Sequence, residues 1–196
     1  MENRDPISEQ KALARQRLRV VRDEIGIAQH ASHSSAIQRN LFQLEEISAA
    51  KTVFCFISIG KEVATHEVIN QLQSMGKSIL VPKILPGEPM RAVLFTGWEN
   101  LEPGVLGIPA PVTSAAFTGY VDLVITPGLG FTPTGTRIGY GRGYYDRWFA
   151  DHEHGLRVGV AFECQLQESI PAEMSDVVIH LLITERRVLT TAQPRP

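Results

Sequence analysis

Cysteine is scarce: Cys55 and Cys164 are the only two in 196 residues, too few for a disulfide framework and without the CxxC spacing of a metal or redox site. Cys55 sits inside an apolar run and reads as a small buried hydrophobe. Positive charge is not in excess, with 19 basic residues against 21 acidic and a net charge of −2. That balance argues against a duplex-binding surface built on bulk charge, so nucleic acid is not an expected partner, although a local basic pocket is allowed. Long apolar runs are missing too. Thr52 to Ile59 and Val177 to Thr184 fall well short of the ~20 residues that cross a bilayer, so no membrane association is expected. The opening Met1-Glu2-Asn3-Arg4-Asp5 is polar with no apolar stretch behind it, which leaves secretion unsupported and makes the cytoplasm the expected compartment. The six histidines form no zinc pattern. His152 and His154, two apart on an expected helix, point in different directions and read as surface residues. Internal repeats, low-complexity tracts and linkers are absent, so one domain over residues 1–196 and a monomer are expected.

What is present is ordinary globular composition, 43% hydrophobic and 20% charged, enough for a real core and unlike disordered, collagen-like or coiled-coil chains. Ser8 can cap a helix from about Glu9 to Gln29, because Ala14, Leu18, Val21, Ile25 and Ala28 recur at three- and four-residue steps. Lys11, Arg15 and Arg22 fall along one edge of that stripe, with Arg19 further round; by themselves they read as a solvated flank. From Thr52 to Ser58 the pattern becomes a continuous β run, followed by a helix from Thr65 to Met75 and a strand at Ser78–Pro82: a βαβ unit. Residues 83–119 read as loops with minor strands, Arg91–Phe95 among them. Val121–Thr126, a helix starting near Tyr144 or Tyr145, and Arg157–Phe162 imply a second βαβ unit, with further strands at Val177–Ile183 and Arg187–Thr190. The expected fold is a three-layer α/β/α domain with a mostly parallel central sheet and its ligand site outside the carboxyl ends of the strands.

Six of the 16 glycines lie between Gly128 and Gly143. Glycine lets a ligand approach main-chain N–H groups, and the helix start that follows favours anions, so phosphate is the natural guest. Arg137 and Arg142 add forked donors suited to phosphate oxygens, and Asp146 can hold a divalent cation bridging them. Two familiar loops are excluded. Gly135 is followed by Thr136-Arg137 rather than the Lys-Ser or Lys-Thr of a P-loop, and Gly139-x-Gly141-x-Gly143 does not fit GxGxxG.

The run from Pro127-Gly128-Leu129-Gly130-Phe131 through Gly135 and Arg137 to Gly139-Tyr140-Gly141-Arg142-Gly143-Tyr144-Tyr145-Asp146-Arg147 resembles the signature of the 5-formyltetrahydrofolate cyclo-ligases, also called methenyltetrahydrofolate synthetases. The likeness spans nearly the whole chain: Lys11-x-x-x-Arg15, Glu62 after the first strand, Gly107-Ile108-Pro109 with Pro111, and Ile170-Pro171 with Ser175-Asp176. It implies conversion of 5-formyltetrahydrofolate and ATP to 5,10-methenyltetrahydrofolate, ADP and phosphate with Mg²⁺. By the same resemblance, Lys11, Arg15 and the segment Arg137, Ile138, Gly139, Tyr140, Gly141, Arg142, Gly143, Tyr144, Tyr145 bind ATP. Ile57, Glu62 and the stretch from Tyr140 to Tyr144 meet the folate, and Asp146 and Asp176 hold Mg²⁺. Arg142, Lys11 and Arg15 are the expected catalytic cations, while Arg19 and Arg22 stay on the solvated flank. A carboxylate at Glu62 can accept two parallel hydrogen bonds from the 2-amino and N3 groups of a pterin.

Ala110 and His180 depart from the family pattern, which often has Glu and Asp there. A non-catalytic module that binds ATP and sequesters 5-formyltetrahydrofolate is the alternative, separated from the enzyme by ATP-dependent product formation.

Overall fold

The computed structural model describes residues 6–191, so the polar opening Met1–Asp5 lies outside the described residues. Its centre is a seven-stranded sheet in the order β11-β10-β9-β6-β1-β2-β3. The members are β1 (Thr52–Cys55), β2 (Ser78–Lys83), β3 (Arg91–Leu94), β6 (Val121–Thr126), β9 (His154–Val160), β10 (Leu181–Ile183) and β11 (Val188–Thr190). Two short antiparallel pairs stand apart, β4 (Leu101–Glu102) with β5 (Ala110–Pro111) and β7 (Gly130–Phe131) with β8 (Arg137–Ile138). The interior pairings of the sheet are parallel, and only its edges, β2 with β3 and β10 with β11, are antiparallel.

Strand alternation assigns the layers. Val53, Cys55, Leu123 and Ile125 point to one face, where they meet α2 (Ile27–Phe42), α3 (Glu45–Ala49) and α4 (His66–Ser74) through Ile37, Ile47, Val68 and Leu72. Phe54, Leu80 and Val124 point to the other face and pack on Trp148 and Phe149 of α5 (Tyr144–Asp151). Both faces are covered, so the central strands carry the unbroken apolar runs seen in the sequence, and each fully buried Val or Ile contributes about 1.5–3 kcal/mol.

Connectivity places the site. β1 and β6 are parallel neighbours, with Val53 opposite Leu123. From β1 the chain leaves through α4 to β2 on one side, and from β6 through α5 to β9 on the other. The loops leaving their carboxyl ends therefore diverge and open a crevice between them.

Several expected boundaries move. The first helix, α1 (Pro6–Asp23), starts at Pro6, where a proline suits the first turn, so Ser8 lies inside it rather than capping it. It also stops short of Gln29. The chain breaks over 24–26, and Gly26 in extended conformation (φ −65°, ψ 155°) leads into α2, which together with α3 was not expected. β1 ends at Cys55 because Thr65 Oγ1 donates to Phe56 O and accepts from Ser58 N, turning the chain out of the sheet. The apolar run from Val177 joins the sheet only at Leu181: Val177 N donates to Asp146 Oδ1 (3.3 Å) and Ile179 N to Gly135 O (2.9 Å) instead. β9 begins earlier than expected, at His154, and ends at Val160.

Candidate active site

The crevice is a cleft of about 1030 Å³, walled by α1, by the loop after β1 and by the glycine-rich loop after β6. Leu18 seats α1 against Leu129 and Ile138 of that loop. The contact needs glycine at position 130, since a Cβ there would lie 2.6 Å from Leu18 Cδ1. Gln165 fixes the start of the loop from beneath: its buried amide donates to Gly128 O (2.9 Å) and Leu129 O (3.0 Å).

The anion-binding candidates converge here. Lys11 is 6% exposed and ion-paired to Asp176 (2.6 Å) and Glu173 (3.2 Å). Arg15 donates from Nε to Gly139 O (3.1 Å) and lies against Gly141, where φ is +92° and an added Cβ would come within 3.2 Å of the guanidinium. Arg137 is buried, paired to Asp146 (2.7 Å) and 5.8 Å from the Tyr145 ring centroid. Arg142 is exposed at the loop tip; its carbonyl accepts from Arg147, while its guanidinium has no partner among the described residues. Arg147 lies 5.6 Å from the Tyr144 ring centroid. The Tyr145 ring stacks on Phe54 at 5.9 Å, its hydroxyl has no hydrogen-bond partner among the described residues, and burial drives its pKa well up. Gly139, Gly143, Ile138 and Ile57 also line the cleft.

Asp146 and Asp176 come to the same wall, since Asp146 Oδ1 accepts from Val177 N, the residue after Asp176. Each carboxylate uses one oxygen on a cation, Arg137 or Lys11, and the second oxygen of each has no protein partner among the described residues. Such a donor set suits Mg²⁺, which takes one or two carboxylates and leaves its other positions to phosphate and water. No three His, Cys, Asp or Glu side chains among the described residues gather to hold a metal by themselves.

Glu62 faces the glycine loop. Its Oε1 accepts from the Tyr140 hydroxyl (2.6 Å) and its Oε2 from Ile59 N (2.9 Å). The Tyr140 hydroxyl in turn accepts from Arg22 Nη1 (2.7 Å). Burial lifts the Glu62 carboxyl above its usual range, partly offset by those two donors and the Arg22 charge. Burial and the neighbouring carboxylate raise Tyr140 as well.

The profile of the 5-formyltetrahydrofolate cyclo-ligase family matches residues 7–185. The chain belongs to that family. It is 32% identical over 147 residues to the 5-formyltetrahydrofolate cyclo-ligase of Escherichia coli (strain K12), covering 71% of this chain and 80% of that one. To a probable 5-formyltetrahydrofolate cyclo-ligase of Caenorhabditis elegans it is 27% identical over 194 residues, 91% and 94% of the two chains. An NMR structure of Aquifex aeolicus 5,10-methenyltetrahydrofolate synthetase matches with a TM-score of 0.83 at 27% identity, covering 95% of both chains.

In this cyclo-ligase family member the expected site residues from α1, the β1 loop and the glycine loop share one cleft, with Asp146 and Asp176 on its wall. Arg22 corrects the sequence expectation. It is 7% exposed rather than solvated, because Asp23 and Tyr140 supply its hydrogen bonds. The signal was its shared helical edge with Lys11 and Arg15. Gln165, by contrast, left no trace in the sequence pattern. The departures Ala110 and His180 do not line the cleft; His180 is buried beside Arg157, its Nε2 2.9 Å from the guanidinium. His152 and His154 are also not helical surface residues. His152 follows α5 and stacks on Trp148 at 4.7 Å, while His154 opens β9, half-buried, with its pKa lowered chiefly by burial.

Proposed function

We propose that this chain closes 5-formyltetrahydrofolate to 5,10-methenyltetrahydrofolate at the expense of ATP, releasing ADP and phosphate. The supporting observation is that the glycine loop with its cations and the Glu62 carboxylate open onto one cleft of about 1030 Å³, at the upper end of the ~300–1,000 Å³ typical for one ligand and so roomy enough for two side by side. A formamide oxygen is a poor leaving group. The formyl oxygen of the substrate attacks the γ-phosphorus and ADP departs. N10 then attacks the formyl carbon, phosphate leaves with the former formyl oxygen, and N10 gives up its proton.

Such transfer needs positioning and charge neutralisation more than covalent help. Arg15 and Arg137, fixed by Gly139 O and Asp146, supply preoriented positive charge, and Lys11 supplies a third. Arg142, with no protein partner for its guanidinium, is the cation free to follow the transferring group. Asp146 and Asp176 would hold Mg²⁺, which when bound neutralises phosphate charge. Glu62 takes the pterin edge, beside Ile57. No helix among the described residues is long and apolar enough to cross a membrane, and both proposed ligands are small molecules.

The test is to mix the purified chain with 5-formyltetrahydrofolate and Mg-ATP and follow methenyltetrahydrofolate absorbance and ADP together. One ADP per product is expected. Product without ATP sinks the ligase reading, and binding of both ligands with no product favours a sequestering module.

A further inference from the structure

Among the described residues, Arg22 is the one buried cation of the cleft that the phosphate chemistry leaves unused. Its guanidinium is held by Asp23 Oδ1, at 3.0 Å from Nε and 2.9 Å from Nη2, and by the Tyr140 hydroxyl at 2.7 Å from Nη1. We propose that Arg22 is a positioning residue for folate binding, acting through the Tyr140 hydroxyl to fix the orientation of the Glu62 carboxylate. The proposal rests on the reading of Glu62 as the pterin acceptor.

The direction of each hydrogen bond carries the argument. A guanidinium only donates, and a phenol has a single hydrogen. Because Tyr140 Oη accepts from Arg22, its hydrogen is committed to Glu62 Oε1 at 2.6 Å. Ile59 N holds the other oxygen at 2.9 Å. Each oxygen thus has one fixed donor, and of the carboxylate's roughly four lone-pair sites about one per oxygen remains. That remainder is what an amino group and an adjacent ring N–H need when they bind side by side. Without Arg22 the phenol hydrogen can turn away, and one oxygen loses its anchor.

Charge follows the same path. The groups acting on the Glu62 carboxyl are Arg22 from α1, itself paired to Asp23, Tyr140 from the glycine loop and Tyr145 from α5, while His30 from α2 places Nε2 2.7 Å from the main-chain Glu62 O and Lys61 Nζ turns to Ile25 O. Arg22 and the Tyr140 hydroxyl both favour the ionised carboxylate against its burial. Removing either makes Glu62 take up a proton at higher pH.

The experiment titrates 5-formyltetrahydrofolate and, separately, ATP into the full-length wild type and the variants Tyr140→Phe, Arg22→Met, Arg22→Lys and Glu62→Gln, from about pH 5 to about pH 8. Tyr140→Phe and Arg22→Met should weaken folate about tenfold, the loss of one charge-assisted hydrogen bond, and weaken ATP less. Both should move the acid limb of folate binding to higher pH, a shift that simple loss of packing does not produce. Arg22→Lys should recover part of the affinity. Tyr140 is 39% exposed, so Tyr140→Phe keeps the fold even if Arg22→Met does not. Folate affinity and acid limb both unchanged in Tyr140→Phe overturn the proposal. Tighter folate binding in that variant also overturns it, since the hydroxyl would then compete with the pterin. Glu62→Gln separates the two levels of the argument. If it binds folate like wild type, the pterin reading fails and the proposal falls with it; if it loses folate while Tyr140→Phe and Arg22→Met do not, only the relay falls.

Discussion

Replacing Arg137 by Met tests whether the glycine loop is built around an ion pair. The Arg137 side chain is 4% exposed and its partner Asp146 is 26% exposed. Deleting one member of a buried pair costs about 3–5 kcal/mol, because the survivor is left charged and unpaired. Asp146 keeps the Val177 N–H and some water, which argues for the lower end, about 3 kcal/mol. For a chain of this size that corresponds to a melting temperature about 6–12 °C lower. Arg137→Met/Asp146→Asn removes the stranded charge and should regain about 1–3 kcal/mol relative to additivity. A Mg-ATP thermal shift distinguishes stability from ligand binding. Nucleotide at a hundredfold over its dissociation constant adds about 2.7 kcal/mol to the wild type; both variants should lose most of that increment, including the one whose stability is restored. Thermal unfolding with and without Mg-ATP reads all of this. An Arg137→Met protein melting within about 2 °C of wild type, or a double variant whose losses simply add, refutes the pair as a determinant of the loop.

Arg142→Ala should lower single-turnover rate at saturating substrates by about 10³-fold, with Arg142→Lys recovering part; similar rates in all three proteins would pass the role to Lys11, Arg15 or Arg137. The raised carboxyl of Glu62 makes a linkage prediction. A raised folded pKa contributes stability below the unfolded value, about 4.3, and that contribution is lost as pH rises through the folded pKa. The melting temperature of Glu62→Gln minus that of wild type should therefore become more positive between about pH 4 and about pH 7, and a difference that is flat or falls with pH contradicts burial as its cause. Gly141→Ala forces an alanine to φ +92° and against Arg15, at about 1–3 kcal/mol. It should raise the ATP KM as Arg15 is displaced, and unaltered nucleotide kinetics would show that the guanidinium moves freely.

The sequence announced the sheet centre more clearly than its periphery. β1, β2 and β6 are covered on both faces, so their apolar runs are unbroken. α2 left a weak signal, since its buried positions are Ser34, Ile37 and Leu41 while Ile27 is 84% exposed. The glycine loop and Asp146 were legible through composition and spacing, and the family resemblance supplied Glu62 and Asp176. Arg22 was not legible in the same way. A charge on a helix edge reads as solvated until its partner is known, and here the partner, Tyr140, lies 118 positions along the chain. Strand ends shifted where side chains took over main-chain partners, as Thr65 does for Phe56 and Asp146 for Val177.

The attachment of α1 has a consequence for motion. Of its three buried residues, only Leu18 is apolar; the others are Lys11 and Arg22, so cohesion along this helix runs largely through charges that belong to the cleft. Local opening free energies track such differences in anchoring. A nucleotide held by Lys11 and Arg15 on one side and the glycine loop on the other would act as a clasp, adding its binding energy to the cost of lifting the helix. Amide hydrogen exchange along α1 would then slow in step with occupancy, and β1 and β6, which exchange through global unfolding, would slow by the binding free energy and remain the slowest of the chain.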